Sequence, residues 1–151
     1  MHHKTRIAAL VAAGVTATAA WAGTPAETIL ARQANFKQMA RAFKAVSDQL
    51  KQSAPDVTTI RTSAGIILQS AERVHSGFPR GTGPEAGVKT AALPLIWQRG
   101  RDFQGHANQL VTAARNLQRV SAGNDINAIK AAVPGLGSAC KGCHDTYKGK
   151  S

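Results

Sequence analysis

The chain has 151 residues, with 19 Lys and Arg against 8 Asp and Glu, a formal net charge of +11, and only two cysteines. That length serves one core and one domain rather than two, and two cysteines are too few for a disulfide-built scaffold. The basic balance fits nucleic acid, an anionic surface or an acidic protein partner, but the positive residues are scattered along apolar-periodic segments instead of forming a stripe, so nucleic acid is not expected.

In chain order, His2, His3, Lys4 and Arg6 form a basic start. Ile7 to Ala19 is an Ala/Val-rich apolar run, and Ala20-Trp21-Ala22 supplies a small-x-small cleavage site. This is the pattern of a secretory signal peptide over residues 1–22, leaving residues 23–151 as the mature domain. A first core helix is the alternative. The run is short of the roughly 20 apolar residues that a spanning helix needs, and no later stretch qualifies, so no membrane span is expected.

Four apolar-periodic segments follow, separated near residues 53–55, 77–94 and 123–125, where Gly, Pro, Ser and Asn cluster. The first opens on Thr24-Pro25-Ala26-Glu27, a capping box with proline at the first helical position. Its stripe is Ile29, Arg32, Phe36, Met39, Phe43, Val46 and Leu50. The second runs Val57, Ile60, Ala64, Ile67, Ala71 and Val74, and the third Ile96, Gly100, Phe103, Ala107, Leu110, Ala114 and Leu117. The last gives Ile126, Ile129, Val133, Leu136, Cys140, Cys143 and Tyr147. Alternating three- and four-residue spacing predicts four helices, and the mostly short links predict an all-α, antiparallel four-helix bundle. Pro134, Gly135 and Gly137 predict a kink or restart of the last helix near residues 133–136. The link over residues 77–94 is expected to be long and mobile.

Cys140-Lys141-Gly142-Cys143-His144 carries the chemistry. Cys-x-x-Cys-His is the attachment signature of a c-type haem: on a helix both thiols share a face and reach the haem vinyl groups, while His144 meets the iron from one side. Three other readings remain. A zinc site needs a fourth ligand, from His75, His106 or a carboxylate, at no recognisable spacing. A redox dithiol wants its first cysteine at a helix N-terminus after a strand. A disulfide between Cys140 and Cys143 would be strained inside a helix. An export signal and a haem attached after export agree on one compartment, the periplasm of a Gram-negative bacterium.

Arg32 interrupts the first stripe at a seam position, where an unpaired charge is expensive to bury. Either it meets an anion, which a haem propionate would supply, or it reaches out to water from near the helix end.

Over its mature length the chain resembles the cytochromes c′. The resemblance rests on Arg32-Gln33-Ala34-Asn35-Phe36 in the first helix, Phe78-Pro79-Arg80-Gly81-Thr82-Gly83 in the second link, Ile96-Trp97 with Asp102-Phe103 at the start of the third helix, and the closing motif Cys140 to Lys148. It implies one covalent haem c on Cys140 and Cys143, with His144 as axial ligand of a five-coordinate iron. Phe36 would block the opposite face, and Arg32 and Gln33 would meet a propionate. It also implies a basic residue on the proximal side, here Lys148, where a solvated helix-end lysine is the plainer reading. Six-coordinate relatives carry methionine where this chain has Phe36, which offers no donor atom. Met39, about 4.5 Å further along the axis, is the nearest thioether and would be the distal ligand of a low-spin electron carrier. The expected function is binding of nitric oxide and carbon monoxide, single-electron carriage to an unknown redox partner, or both. The resemblance also implies a homodimer. No catalytic dyad or triad accompanies the motif, so an enzyme is not expected.

Overall fold

The structure is a computed structural model that describes residues 23–150; the expected signal peptide lies outside the described residues. Four long helices carry the fold: α1 (Pro25–Gln49), α2 (Val57–Glu72), α4 (Gly100–Ser121) and α5 (Ile126–Tyr147), with a single-turn α3 (Leu95–Gln98) before α4 and one 3₁₀ turn at Pro84–Ala86. Among the described residues no helix is long and apolar enough to cross a membrane.

The helix starts follow from their caps. Thr24 and Glu27 form the reciprocal capping box, the Glu27 amide donating to Thr24 Oγ1 at 3.2 Å and the Thr24 amide to Glu27 Oε2 at 2.7 Å. Asp56 and Asp125 cap α2 and α5 by accepting the amides two residues on, each at 2.9 Å. Short links fold α2 back on α1 and α5 back on α4, and α2 packs against α4 between them.

The predicted stripes build the core. Ile29, Val46, Ile60, Ala64, Ile67, Ala71, Ala114, Leu117 and Ile129 are fully buried, with Leu136, Phe103 and Ala107 nearly so. Met39 is only 6% exposed and belongs to this core. The bundle is nevertheless uneven: α1 lies on α2, α2 on α4 and α4 on α5, while α1 and α5 make no comparable contact. One edge of the bundle is therefore a seam.

Three local expectations are corrected. The third helix does not begin at Ile96; that turn is the separate α3, and the chain re-enters helix at Gly100 after Arg99 leaves the helical region at φ −114° and ψ 45°. Pro134 does not break α5, which runs unbroken through Ile126–Tyr147. Pro134 and Gly135 lie on the exposed face, so the Lys130 carbonyl that loses its intrahelical donor also faces water. The link over residues 77–94 is tied down: Trp97 Nε1 donates to the Phe78 and Pro79 carbonyls at 3.1 and 3.0 Å, and residues 91–93 pair antiparallel with the chain beyond α5.

Because the exposed Pro134 ring gains no burial in return for the lost hydrogen bond, Pro134→Ala should stabilise the fold by about 1–2 kcal/mol. Urea unfolding measures this. An unchanged or lower midpoint would mean the ring is doing something that its exposure does not reveal.

Candidate functional site

The Cys-x-x-Cys-His sequence lies in the last two turns of α5. Cys140 and Cys143 are free thiols, half-buried, one turn apart and packed on the core. Burial raises both above the ordinary thiol value, and Cys143, with Cys140 beside it, is pushed up to about 11. That is opposite to a redox dithiol, which sits at a helix N-terminus with a depressed value. Among the described residues no three of His, Cys, Asp and Glu converge to hold a metal ion, so the fourth ligand a zinc site needs is not brought up. His75 lies instead against Gln104, and His106 against Asp102 and Tyr147.

His144 is exposed on the outer side of the last turn. Desolvation lowers it below the usual histidine range, and the Lys148 ammonium lowers it further, so the neutral imidazole that a metal requires is favoured. Lys148 caps α5 in extended conformation, its amide donating to the His144 carbonyl at 3.2 Å. Its backbone is clamped on both sides, since the Leu93 amide donates to the Tyr147 carbonyl at 3.0 Å and the Gly149 amide to the Ala91 carbonyl at 2.8 Å.

On α1, Arg32 is buried at 6% exposure rather than extended to water. Its Nη1 donates to Thr82 Oγ1 at 2.9 Å and its Nη2 to Thr90 Oγ1 at 2.8 Å, and its guanidinium carbon lies 4.6 Å from the Phe78 ring centroid. Burial lowers its pKa, opposed by the Glu85 carboxylate, yet among the described residues no carboxylate pairs with it. Two of its five donors are spent, on neutral oxygens. Gln33 is drawn to the link, Nε2 donating to the Lys89 carbonyl at 2.8 Å. Phe36 is half-buried with its ring 6.2 Å from that of Phe78, and the two rings join Arg32 and Val74 in lining an opening of about 760 Å³ beside α1.

These features fit a haem c. Two thiols stand one turn apart on the core face of α5, a histidine whose pKa is lowered by desolvation follows them, and a buried cation on α1 has donors left for carboxylates. The sequence model of the family described as Cytochrome C′ matches residues 27–148. The chain belongs to the cytochrome c′ family. Haem c with its iron is accordingly the cofactor.

The cytochrome c′ of Rubrivivax gelatinosus is 31% identical over 127 residues, 83% of this chain and 97% of that protein. Among solved structures, the cytochrome c′ of Thermochromatium tepidum superposes with a TM-score of 0.80 at 30% identity, covering 85% of this chain and 98% of the other. A cytochrome c′ described as having an unusual ligand-controlled dimer dissociation gives a TM-score of 0.78 at 28% identity over the same shares. A ferrous variant of the Alcaligenes xylosoxidans cytochrome c prime, solved with bound NO, gives 0.76 at 25% identity, again over 85% and 98%.

Sequence reading did not single out Thr82, Thr90 or the pairing of Tyr147 with Asp102. Their partners lie 45 to 58 residues apart, beyond the reach of any local pattern. The Tyr147 hydroxyl donates to Asp102 Oδ2, whose carboxyl is held below its usual range first by that bond and further by the charges of Arg99 and His106. Glu27, Asp48 and Asp56 are depressed too, mainly by hydrogen bonds to Thr24, Lys44 and Thr59. A carboxylate depressed in the folded state stabilises the fold fully above its unfolded value, near pH 4, and loses that contribution as pH falls through the folded one. The midpoint of thermal unfolding should therefore drop as pH goes below about 4, with a shallower fall in Asp102→Asn; calorimetry across that range checks the slope.

Proposed function

We propose that residues 23–151 form a periplasmic haem protein that holds one haem c in the seam between α1 and α5 and keeps one face of its iron open to a diatomic gas, nitric oxide or carbon monoxide. Phe36 carries this reading. It stands four residues after Arg32, where the six-coordinate relatives place a methionine, and its ring has no atom able to bind iron.

Cys140 and Cys143 would hold the group through thioethers, and His144 would supply a nitrogen to its iron. Bound there, the haem supplies an iron that takes up a gas or an electron. The chain's own residues do the rest. The lowered basicity of His144 keeps a nitrogen lone pair available at neutral pH, with Lys148 adding to the effect. Arg32 and Gln33 meet a propionate, Arg32 through the donors that Thr82 and Thr90 leave unspent, and the hydroxyls hold the guanidinium in place beforehand. Phe36 narrows the approach to the open face by size alone. Met39 packs in the core, which speaks against its serving as a sixth ligand.

Electron carriage is the second reading, and a surface observation favours keeping it. Among the described residues every Asp and Glu side chain already accepts a hydrogen bond or pairs with a cation, and every Lys and Arg except Arg32 is exposed, which leaves an outward excess of positive charge that suits an acidic redox partner. Residues 1–22 act as the export signal. Leu30, more than half exposed on the outer face of α1, supports a homodimer through that helix, and one relative is a cytochrome c′ with a ligand-controlled dimer. The protein acts as a binding or carrier module and not as an enzyme.

The test is the visible spectrum of the purified protein, oxidised and then dithionite-reduced, with and without carbon monoxide. A broad high-spin reduced spectrum that shifts with the gas is expected, and Phe36→Met should move it toward low spin. Sharp low-spin bands indifferent to carbon monoxide would replace this reading with a six-coordinate carrier ligated by Met39. If His144→Ala kept a normal haem spectrum, the axial assignment would be wrong.

A further inference from the structure

The motif histidine stands in the last turn of α5, where a helix has run out of intrahelical partners for its carbonyls and ordinarily frays. An iron ligand placed there inherits that looseness unless something outside the helix holds the turn. Tyr147 is the residue placed to do it. It is the last residue of α5, only 2% exposed, and its ring stands edge-on to Phe103 at 5.3 Å and to His106 at 5.7 Å, both on α4. Its hydroxyl donates to Asp102 in the first turn of α4, where a carboxylate is favoured by the helix dipole. Arg99 closes on the same carboxylate at 3.3 Å, and His106 Nε2 lies 4.0 Å from it. The His106 ring also covers the backbone of Gly142, the middle of the attachment motif, its ring atoms 3.8 Å from where a Cβ would stand.

We infer that the Tyr147–Asp102 pair is a latch that positions the iron ligand, with Tyr147 as a positioning residue acting through the last turn of α5. This rests on His144 being the axial ligand. The latch acts on a side chain and is separate from the backbone pairing of residues 91–93 with 147–149, which holds the chain beyond the helix. Hydrogen bonds to a charged acceptor are about twice as strong as neutral ones, so the loss of this one should be felt locally.

Tyr147→Phe removes the hydroxyl and keeps the ring. In the haem-loaded protein, amides of residues 144–148 should exchange about tenfold faster while those of α1 and α2 keep their wild-type rates. The iron–histidine stretching band in the resonance Raman spectrum of the reduced protein should broaden or shift. Asp102→Ala should reproduce both effects, and Asp102→Asn, which keeps an accepting oxygen, should restore both. Unchanged exchange and an unchanged band in Tyr147→Phe would overturn the latch. So would a uniform rise in exchange through all helices with the band in place, which marks a general loss of stability. An effect in Tyr147→Phe that Asp102→Ala fails to reproduce would overturn the pairing with Asp102. A wild-type protein with no iron–histidine band at all would instead refute the axial assignment of His144.

Discussion

A four-helix bundle whose first and last helices do not pack on each other must hold each of them from elsewhere. That constraint governs this chain. α1 and α5 are each fastened to elements other than each other: α1 by its packing on α2 and by Arg32 and Gln33, which reach into the link over residues 77–94, and α5 by α4 and the Tyr147–Asp102 contact. The long link is part of this arrangement. It passes the α1 side at Thr82 to Thr90 and the α5 side at residues 91–93, so one stretch of backbone is tied to both walls of the seam. A guanidinium is suited to the task because its planar fork serves several oxygens at once and still stacks on a ring, here that of Phe78.

The same economy explains the charge of the surface. Eight carboxylates are few, and this chain spends them on helix starts and pairs: Glu27, Asp56 and Asp125 at caps, Glu85 on the Gly83 amide, Asp48 and Asp145 beside lysines on their own helices, Glu72 with Arg115, and Asp102 with Tyr147. The exposed ion pairs among these contribute little to stability, because water and salt screen them. Their larger effect is on the outer field, which is left to the unpaired lysines and arginines.

The helices were legible because each long one repeats a single apolar rhythm, and the first opens on a capping box. The attachment residues were legible because they form one contiguous motif. What escaped the sequence is long-range or depends on exposure. Pro134 signals a break only if its ring or the carbonyl it orphans is buried, and on the wet face of α5 neither is. Ile96 keeps the rhythm of α4 across Arg99, although the backbone there departs from the helix. The link reads as loose from its glycines and prolines, and only the fold shows that Arg32, Gln33 and Trp97 gather its carbonyls and hydroxyls. For Arg32 itself, sequence left burial and solvation open; the threonines that settle it for burial lie 50 and 58 residues away.

The placement of the two cysteines also separates this site from a redox dithiol by physics and not by motif alone. A dithiol works because a helix N-terminus lowers the value of its first sulfur and keeps a thiolate ready to attack. Cys140 and Cys143 sit near the opposite end of their helix, where the dipole disfavours negative charge and burial adds to the penalty. With Cys143 pushed up to about 11, little thiolate forms there near neutral pH. The pair is likewise a poor candidate for closing on itself, since both thiols belong to one unbroken helix and a disulfide across a single turn would distort it. Two sulfurs held one turn apart on an apolar face near a helix C-terminus are poorly placed for redox chemistry, and they stand in the sequence motif that attaches haem c, the cofactor of this family.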